Sequence, residues 1–474
     1  MNNIVKKAIA FCAFTGLLIT VICVTYNILR WKDTTGEYRS SVEQLYNTED
    51  NLIDVVFVGS SHVYCDIYPC FLWEKAGISS FDMSVAGQDK VSSYYELKEL
   101  LKTQSPKVVF VDLYGLFSDG NGIEGNRYRN LISMKPSSNS YNHVKEFFKE
   151  DKETDINDYL FRFPIVHTRY KELTRLDFED YIPNSFLRGE EIIFTVGSAA
   201  ASPTAHDTES SMLSETNQKW LNDLYELSKE KSFDLVLIKT PFYDPGDDQA
   251  KVNAAATFAE ERGIGFIDFN KITDELELDY ASDFYDGNHT NAYGARKISE
   301  YLADYIVQNY SVKDHRGDEK YTQWDEDLAF YYREELKEKI KNASGIYALA
   351  ALLTKSKSDF SAVISVEYTS SIENNINEYC DALDRIGFEY DDLLMGGKWL
   401  YRNGELQFLS GNDSESPIMV YELNNVDTLS VKFSSDGAPE NVMIGTADYS
   451  HKGTYIDITV YDEILKEVVV NQQY

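Results

Sequence analysis

The sequence predicts an α/β protein with a doubly wound, mostly parallel sheet, preceded by a transmembrane helix and followed by a β-rich α+β domain. Three observations predict this architecture. Residues 8–29 carry no charged side chain, short apolar runs alternate with helical patterns between residues 51 and 312, and strand patterns prevail from residue 359 onward.

The first element is the apolar run Ala8–Leu29, within a leader and anchor of residues 1–31. At 1.5 Å per residue, such a helix crosses a hydrocarbon layer of about 30 Å. Lys6 and Lys7 precede it, which favours a cytoplasmic N-terminus and places the bulk of the chain outside the cell. A cleaved signal peptide is the alternative, but the run is long for one and no small-x-small motif follows it. We expect a single-pass, uncleaved anchor in the cell membrane.

After a polar linker, residues 32–50, the α/β domain occupies residues 51–312. Strand patterns occur in "LIDVVFVGSS", "GISSFDMSVAG", "PKVVFVDLYG", "FDLVLIKTP" and "IGFIDF". Helical patterns between them, such as "VSSYYELKELLKT" and "KVNAAATFAEERG", are typical of βαβ units and a parallel sheet. Residues 114–213 interrupt the alternation and are too long for a plain loop. We expect an insertion with its own helices, acting as a lid or partner surface.

The C-terminal part begins with a charged helical segment, residues 313–358, that connects to a domain of residues 359–474. That domain has one helical pattern, "NNINEYCDALDRIGF", among several strand patterns. Asn403-Gly404 separates two of these strands, which is typical of a type I′ hairpin turn. The sequence therefore predicts a second, β-rich domain.

Composition and charge exclude several function classes. The 474-residue chain has a net charge of −33, and no basic patch offsets it, so nucleic-acid binding is not expected. Its five cysteines form no CxxC pair and no Cys/His cluster with zinc spacing, so no metal is implied. The serine chemistry described below needs no cofactor. Cys65 and Cys70 could form a disulfide outside the cell, but two unpaired core thiols are the favoured interpretation.

The stretch "VVFVGSSHVYCD" suggests a nucleophile. Ser61 follows the first strand of the sheet, at the strand end where open parallel sheets bind ligands. A serine needs a base and a group that orients the base, and His289 with Asp286, in "YDGNHTNAYGARK", supplies both near the same sheet edge. On its own, Gly-Ser-Ser after a strand is also typical of a turn or a helix N-cap. We interpret His62 as a packing neighbour.

An oxyanion needs donors aimed at its developing charge. The backbone N–H groups of Ser61 and of Gly87, in "SVAGQDK" after the second strand, are placed to supply them. His167 and Arg169, in "FPIVHTRYKEL", could reach the crevice and bind an anionic part of the substrate. Surface or lid structure is the favoured interpretation of that pair, and binding of an anionic group is the alternative.

These residues resemble the SGNH/GDSL hydrolase superfamily. In that family a serine follows strand one, a glycine follows strand two and a C-terminal Asp-x-x-His completes the site of a flavodoxin-like fold. The resemblance covers about residues 51–312 without the insertion. It implies that Ser61 is the nucleophile, Gly87 an oxyanion donor, Asp286 the orienting acid and His289 the base.

Two departures from the family pattern stand out. The family's Gly-Asp-Ser is Gly59-Ser60-Ser61 here, a variant that resembles membrane-anchored, cell-envelope branches acting with acyl carriers. The third block, usually Gly-x-Asn-Asp, reads "VDLYGLFSD", and its asparagine position falls near Leu116. The nearby candidates for a substitute donor are Asn126 and Asn130.

The C-terminal domain resembles the interleukin-like EMT inducer (ILEI, or PANDER) domain. "DFSAVISV" and "HKGTYIDITVYDE" carry the resemblance, the second with the Gly-x6-Val-Tyr-Asp spacing from Gly453 to Asp462. The segments occur in a rearranged order, and Asp457 stands where that domain often has asparagine. The resemblance implies a module that binds carbohydrate or protein.

Together these features predict a membrane-anchored, extracytoplasmic serine esterase or O-acyltransferase that acts on cell-envelope polysaccharide through an acyl-Ser61 intermediate. Its partners would be the membrane, an acylated glycan or acyl donor and, in one reading, a membrane-bound O-acyltransferase. The alternative is a non-catalytic glycan-binding or assembly partner of such an acyltransferase.

Overall fold

A computed structural model of the chain describes residues 3–30, 41–117, 127–151, 153–173, 175–178, 187–244, 246, 248–356, 358–367, 370–409, 418–422, 428–433, 439–450 and 456–474. The chain divides into two compact units, Met1–Phe330 and Tyr331–Tyr474. Each unit has its own sheet structure and its own core.

The first unit contains the predicted parallel sheet, so the fold-class prediction is confirmed. The strand order is β2-β1-β3-β4-β5, and every neighbouring pair runs parallel. The five strands are β1 (Val55–Gly59), β2 (Ser80–Ser84), β3 (Val108–Asp112), β4 (Asp234–Lys239) and β5 (Gly265–Asp268).

Both faces of this sheet are covered. Val56 and Val58 of β1 pack into one hydrophobic cluster, whereas Val55 and Phe57 pack into another on the opposite face. Successive side chains of a strand point to opposite faces, so the continuous apolar run of β1 is what a strand buried on both sides requires.

Helices connect and cover the strands of the first unit. They are α1 (Asn3–Leu29), α2 (Ser41–Tyr46), α3 (Ser61–Asp66), α4 (Pro69–Ala76), α5 (Lys90–Leu100), α6 (Arg127–Ile132), α7 (Ser138–Phe147), α8 (Ile156–Phe161), α9 (Phe163–Val166), α10 (Glu215–Lys231), α11 (Asp248–Arg262) and α12 (Ala292–Asn309). A further helix, α13 (Thr322–Lys341), contains the boundary between the units.

Helix α1 is long and apolar enough to cross a membrane. Its most apolar 18-residue stretch has a mean hydropathy of 2.4 and is not buried in the protein. By length and composition it matches the predicted anchor.

The predicted insertion has two parts in the structure. Helices α6 to α9 form the first part. From Leu187 to Ser214 the chain forms neither helix nor strand, and runs as an irregular segment up to α10. This segment matters for the site because it contacts the loop before α12.

The second unit is β-rich with antiparallel sheets, as predicted. One sheet has the order β14-β13-β6-β7-β8 and the other β12-β11-β10-β9. Asn403 and Gly404 both have positive φ between β7 and β8, as a type I′ turn requires. The elements are α14 (Ile346–Leu353), β6 (Phe360–Val366), α15 (Ser370–Leu383), α16 (Tyr390–Met395), β7 (Gly397–Arg402), β8 (Glu405–Phe408), β9 (Ile418–Glu422), β10 (Thr428–Phe433), β11 (Pro439–Ile444), β12 (Ala447–Asp448), β13 (Ile456–Asp462) and β14 (Glu467–Gln473).

Candidate active site

Ser61 stands at the junction of β1 and α3. The strand ends at Gly59, Ser60 is the helix N-cap residue in an extended conformation, and Ser61 is the first helical residue. A Cβ on Gly59 would lie 2.5 Å from Val63 Cγ2 and 2.7 Å from Asp112 Cβ. Only glycine therefore allows the strand to pass this closely to α3 and β3.

The loop before α12 brings the predicted base and acid to Ser61. His289 Nε2 lies 2.8 Å from Ser61 Oγ, and His289 Nδ1 lies 3.0 and 3.1 Å from the two carboxylate oxygens of Asp286. Because Nδ1 faces a carboxylate, it carries the imidazole proton, and Nε2 accepts the hydrogen bond from the Ser61 hydroxyl. The three predicted residues form one continuous hydrogen-bonded series.

Backbone contacts from two other segments hold this loop in place. The Gly197 N–H donates to the Phe284 carbonyl at 2.8 Å, and the Tyr243 N–H donates to the Gly287 carbonyl at 3.0 Å. A Cβ on Gly197 would lie 1.9 Å from the Tyr285 carbonyl oxygen. The irregular part of the insertion thus packs directly on the loop that carries Asp286 and His289.

A second connection joins the helix of Ser61 to the loop of His289. Asp66, at the end of α3, accepts from the Thr290 N–H at 2.7 Å and from the Thr290 hydroxyl at 2.9 Å. Burial raises the pKa of the Asp66 carboxyl well above its usual value. Because Asp66 shares α3 with Ser61 and Thr290 follows His289, this bridge sets the spacing of nucleophile and base.

His62 packs against the base. Its ring stacks on that of His289 with centroids 4.8 Å apart, and it also contacts Tyr114 and Phe242 at 4.9 Å. Burial, followed by the nearby His289, lowers the pKa of His62 well below its ordinary value. A neutral His62 can lie beside an imidazolium at position 289 without charge repulsion, consistent with its interpretation as a packing neighbour.

The predicted oxyanion donors lie at one edge of the sheet. Gly59 of β1 pairs in register with Ser84 of β2, so Ser61 and Gly87 follow at the same strand ends. Among the described residues neither the Ser61 nor the Gly87 N–H has a hydrogen-bond acceptor. Gly87 has φ +63°, a conformation that favours glycine.

No asparagine follows β3 directly in the described structure. The strand ends at Asp112, and Leu113–Leu116 form a 3₁₀ turn. Of the two candidate substitutes, Asn130 is a buried residue of α6, and Asn126 lies outside the described residues.

The predicted substrate-binding pair lies beside helix α1. Arg169 donates to the carbonyl oxygens of Leu29 at 3.1 Å and Arg30 at 3.0 Å. His167 is exposed, and its Nδ1 lies 2.5 Å from the Pro164 carbonyl oxygen. Arg169 is thus bonded to the end of α1, and a role of the pair in substrate binding stays a prediction.

Two further sequence-based points concern metals and thiols. Within the described ranges, no group of three or more His, Cys, Asp or Glu side chains is placed to hold a metal ion. Cys65 and Cys70 are both buried, and neither forms a disulfide. Their burial is what the interpretation as core thiols predicts.

Sequence reasoning missed the Asp66–Thr290 bridge and the contact of Gly197 with the loop. Asp66 ends the helix that Ser61 begins and Thr290 adjoins His289, so proximity to the named site residues was the available signal. The Gly197 segment has no helical or strand pattern and gave no such signal.

Comparison with known proteins finds solved structures that are similar to part of this chain. A protein from Desulfitobacterium hafniense DCB-2, named as a lipolytic protein of the G-D-S-L family, matches with 12% identity and a TM-score of 0.26 over 53% of this chain and 97% of that one. A protein from Bacteroides fragilis, named as an acylhydrolase, matches with 11% identity and a TM-score of 0.28 over 59% of this chain and 98% of that one.

No protein-family model matches the chain, and no curated protein matches it. The two structural similarities are too low to carry a functional argument. The functional assignment therefore rests on the side chains of the site.

Proposed function

We propose that the chain is a membrane-anchored, extracytoplasmic serine esterase or O-acyltransferase that acts on cell-envelope polysaccharide through an acyl-Ser61 intermediate. The proposal rests on the hydrogen-bonded series of Ser61, His289 and Asp286, in which Ser61 Oγ lies 2.8 Å from His289 Nε2. Helix α1 supports the anchor by its length and composition.

The geometry supports a two-step acyl transfer. Ser61 Oγ attacks the carbonyl carbon of an ester while His289 Nε2 takes the hydroxyl proton, and Asp286 stabilises the imidazolium. The N–H groups of Ser61 and Gly87 would bind the oxyanion, each contributing roughly 3 kcal/mol in the transition state. His289 then gives its proton to the leaving alcohol, and the acyl group stays on Ser61.

In the second step an acceptor hydroxyl attacks the acyl-Ser61 carbonyl while His289 takes its proton. The bond between the acyl carbon and Ser61 Oγ then breaks, and His289 returns the proton to Ser61 Oγ. Water as acceptor gives an esterase, and a polysaccharide hydroxyl gives a transferase. The same residues serve both outcomes, so the choice depends on which acceptor reaches the acyl-enzyme.

The test is hydrolysis of p-nitrophenyl acetate by the full chain in detergent, with and without an added polysaccharide. We expect Ser61→Ala to abolish turnover with unchanged melting. O-acetylation of the polysaccharide would identify a transferase, and release of acetate alone an esterase. Equal rates for wild type and Ser61→Ala would refute the assignment of Ser61.

A second candidate is a non-catalytic glycan-binding or assembly partner of a membrane O-acyltransferase. It is favoured by the absence of an asparagine directly after β3 in the described structure. The second unit, which we propose to be ILEI-like, adds an open cavity of about 650 Å³ lined by residues that include Tyr347, Asp384, Arg385 and Tyr390. Polysaccharide binding that survives Ser61→Ala but is lost in Tyr390→Ala, without any turnover, would favour this candidate.

A further inference from the structure

Three segments of the insertion pack around the end of helix α1. Helix α9, residues 167–171 and residues 175–178 all contact α1. Leu29 is buried there, although most of α1 is exposed. The Arg169 guanidinium donates to the Leu29 and Arg30 carbonyls at the end of the helix. The insertion therefore forms a collar at this end of α1.

The position of the collar along α1 corresponds to a membrane boundary. The helix has 27 residues, so it is about 40 Å long, and a hydrocarbon core is about 30 Å thick. If α1 spans a bilayer, the turn that contains Leu29 lies in the headgroup region. Segments packed on that turn then lie at the same depth.

The collar exposes large aromatic side chains. Tyr170 and Phe178 lie on two of the collar segments and are 62% and 65% exposed, and Phe161, the last residue of α8 and two positions before α9, is 74% exposed. Single exposed apolar residues are common on soluble proteins. Three on adjoining segments around the end of one apolar helix are typical of a membrane interface, where aromatic rings are enriched.

The charge of the collar differs from that of the whole chain. Residues 161–178 contain four basic side chains and two acidic ones, whereas the chain carries −33. Lys171 is exposed, with Nζ 5.7 Å from the Tyr170 ring. Arg162 is buried and Arg169 pairs with Asp177, so this surface offers the lipid headgroups the exposed Tyr170 and Lys171 side chains and not a net positive charge.

We propose that residues 161–173 and 175–178 form a membrane-contact surface in which Phe161, Tyr170 and Phe178 enter the headgroup region of the bilayer that α1 spans. The inference rests on the anchor in the proposed function. Its consequence is that the domain lies directly on the lipid surface, held by α1 and by the collar together.

The experiment is photo-crosslinking of the full chain in vesicles of phosphatidylcholine with a minority of phosphatidylglycerol, both radiolabelled. Benzoylphenylalanine replaces Phe161, Tyr170 or Phe178, one at a time. Leu18 in the middle of α1 is the positive control, and Tyr390 of the second unit, 49% exposed, is the matched negative control. All five positions are exposed, so the substitutions are expected to leave the melting temperature unchanged.

The proposal predicts lipid adducts at Leu18 and at all three collar positions, and none at Tyr390. Adducts at Leu18 without adducts at the collar would overturn the inference and leave the anchor standing. No adduct at any position would remove the anchor as well. Equal adducts at Tyr390 would show unspecific contact and overturn the proposal. The same crosslinking is repeated in native membranes, where adducts of the collar positions with protein and not with lipid would assign the collar to a protein partner and also overturn the proposal.

Discussion

Replacing Asp286 with asparagine tests how His289 is oriented and charged. Asp286 Oδ1 accepts from the Asn288 and His289 N–H groups, and both carboxylate oxygens face His289 Nδ1. Asparagine keeps the size of the side chain and one acceptor for the backbone. It removes the negative charge that stabilises an imidazolium, so the loop should keep its shape while the reaction slows.

The expected loss follows from distance and exposure. Two unit charges about 4 Å apart interact by about 1 kcal/mol in water and about 4 kcal/mol at the effective dielectric near a protein surface. Since the Asp286 side chain is 44% exposed, its interaction lies between these limits. We expect the carboxylate to stabilise the imidazolium by about 2–3 kcal/mol, and its removal then corresponds to a roughly 30- to 150-fold lower kcat.

The assay is steady-state hydrolysis of p-nitrophenyl acetate, with kcat and KM measured separately. Asp279→Asn is the matched control, because Asp279 accepts from the Ala281 N–H in the same loop. The control should keep its kcat. A loss below about 3-fold in Asp286→Asn, or an equal loss in Asp279→Asn, would refute the orienting role.

Three further substitutions test the surroundings of the site. Gly59→Ala places a Cβ 2.5 Å from Val63 Cγ2, so we expect urea denaturation to show about 1–3 kcal/mol less stability; an unchanged midpoint would contradict this contact. Burial raises the pKa of Asp112 to about 7. Between about pH 4 and pH 7 the folded state therefore keeps a proton on Asp112 that the unfolded state has lost, and the stability of the fold falls as the pH rises through this range. Asp112→Asn should therefore melt like the wild type near pH 4 and be more stable at pH 8, by up to about 4 kcal/mol; a difference independent of pH would contradict the shift. Thr290→Val removes the hydrogen bond from the Thr290 hydroxyl to Asp66, and we expect kcat to fall about 10-fold while KM stays unchanged. Thr290→Ser should restore kcat, and a change in KM alone would contradict a positioning role.

The parallel sheet could be predicted because its strands are buried on both faces. Such strands appear in the sequence as continuous apolar runs, and the run Val55–Val58 is fully buried in the structure. The hairpin at Asn403-Gly404 could be predicted because both residues must adopt positive φ. In each case local residue types alone determine the local structure.

The series of Ser61, His289 and Asp286 could be predicted because few residue types can perform the chemistry. The chain has only seven histidines, and one of them follows an aspartate by three residues near the expected sheet edge. The resemblance to a known family gave the same three positions.

The surroundings of the site could not be predicted because they depend on contacts between distant segments. Asp66 and Thr290 are 224 positions apart, and although each lies near a named site residue, nothing in the sequence pairs the two. Gly197 lies in a segment with no periodic pattern, so its approach to Tyr285 is visible only in three dimensions. The placement of Arg169 at the end of α1 likewise follows from the packing of the insertion.

The most direct test of the account is where a fluorophosphonate probe binds. Such probes phosphonylate an activated serine and no other hydroxyl at comparable rate. The account predicts a single adduct on the peptide that contains Ser61, absent in Ser61→Ala and strongly slowed in His289→Ala with its melting temperature unchanged. An unlabelled wild-type chain, or an adduct at another residue, would contradict the claim that His289 activates Ser61.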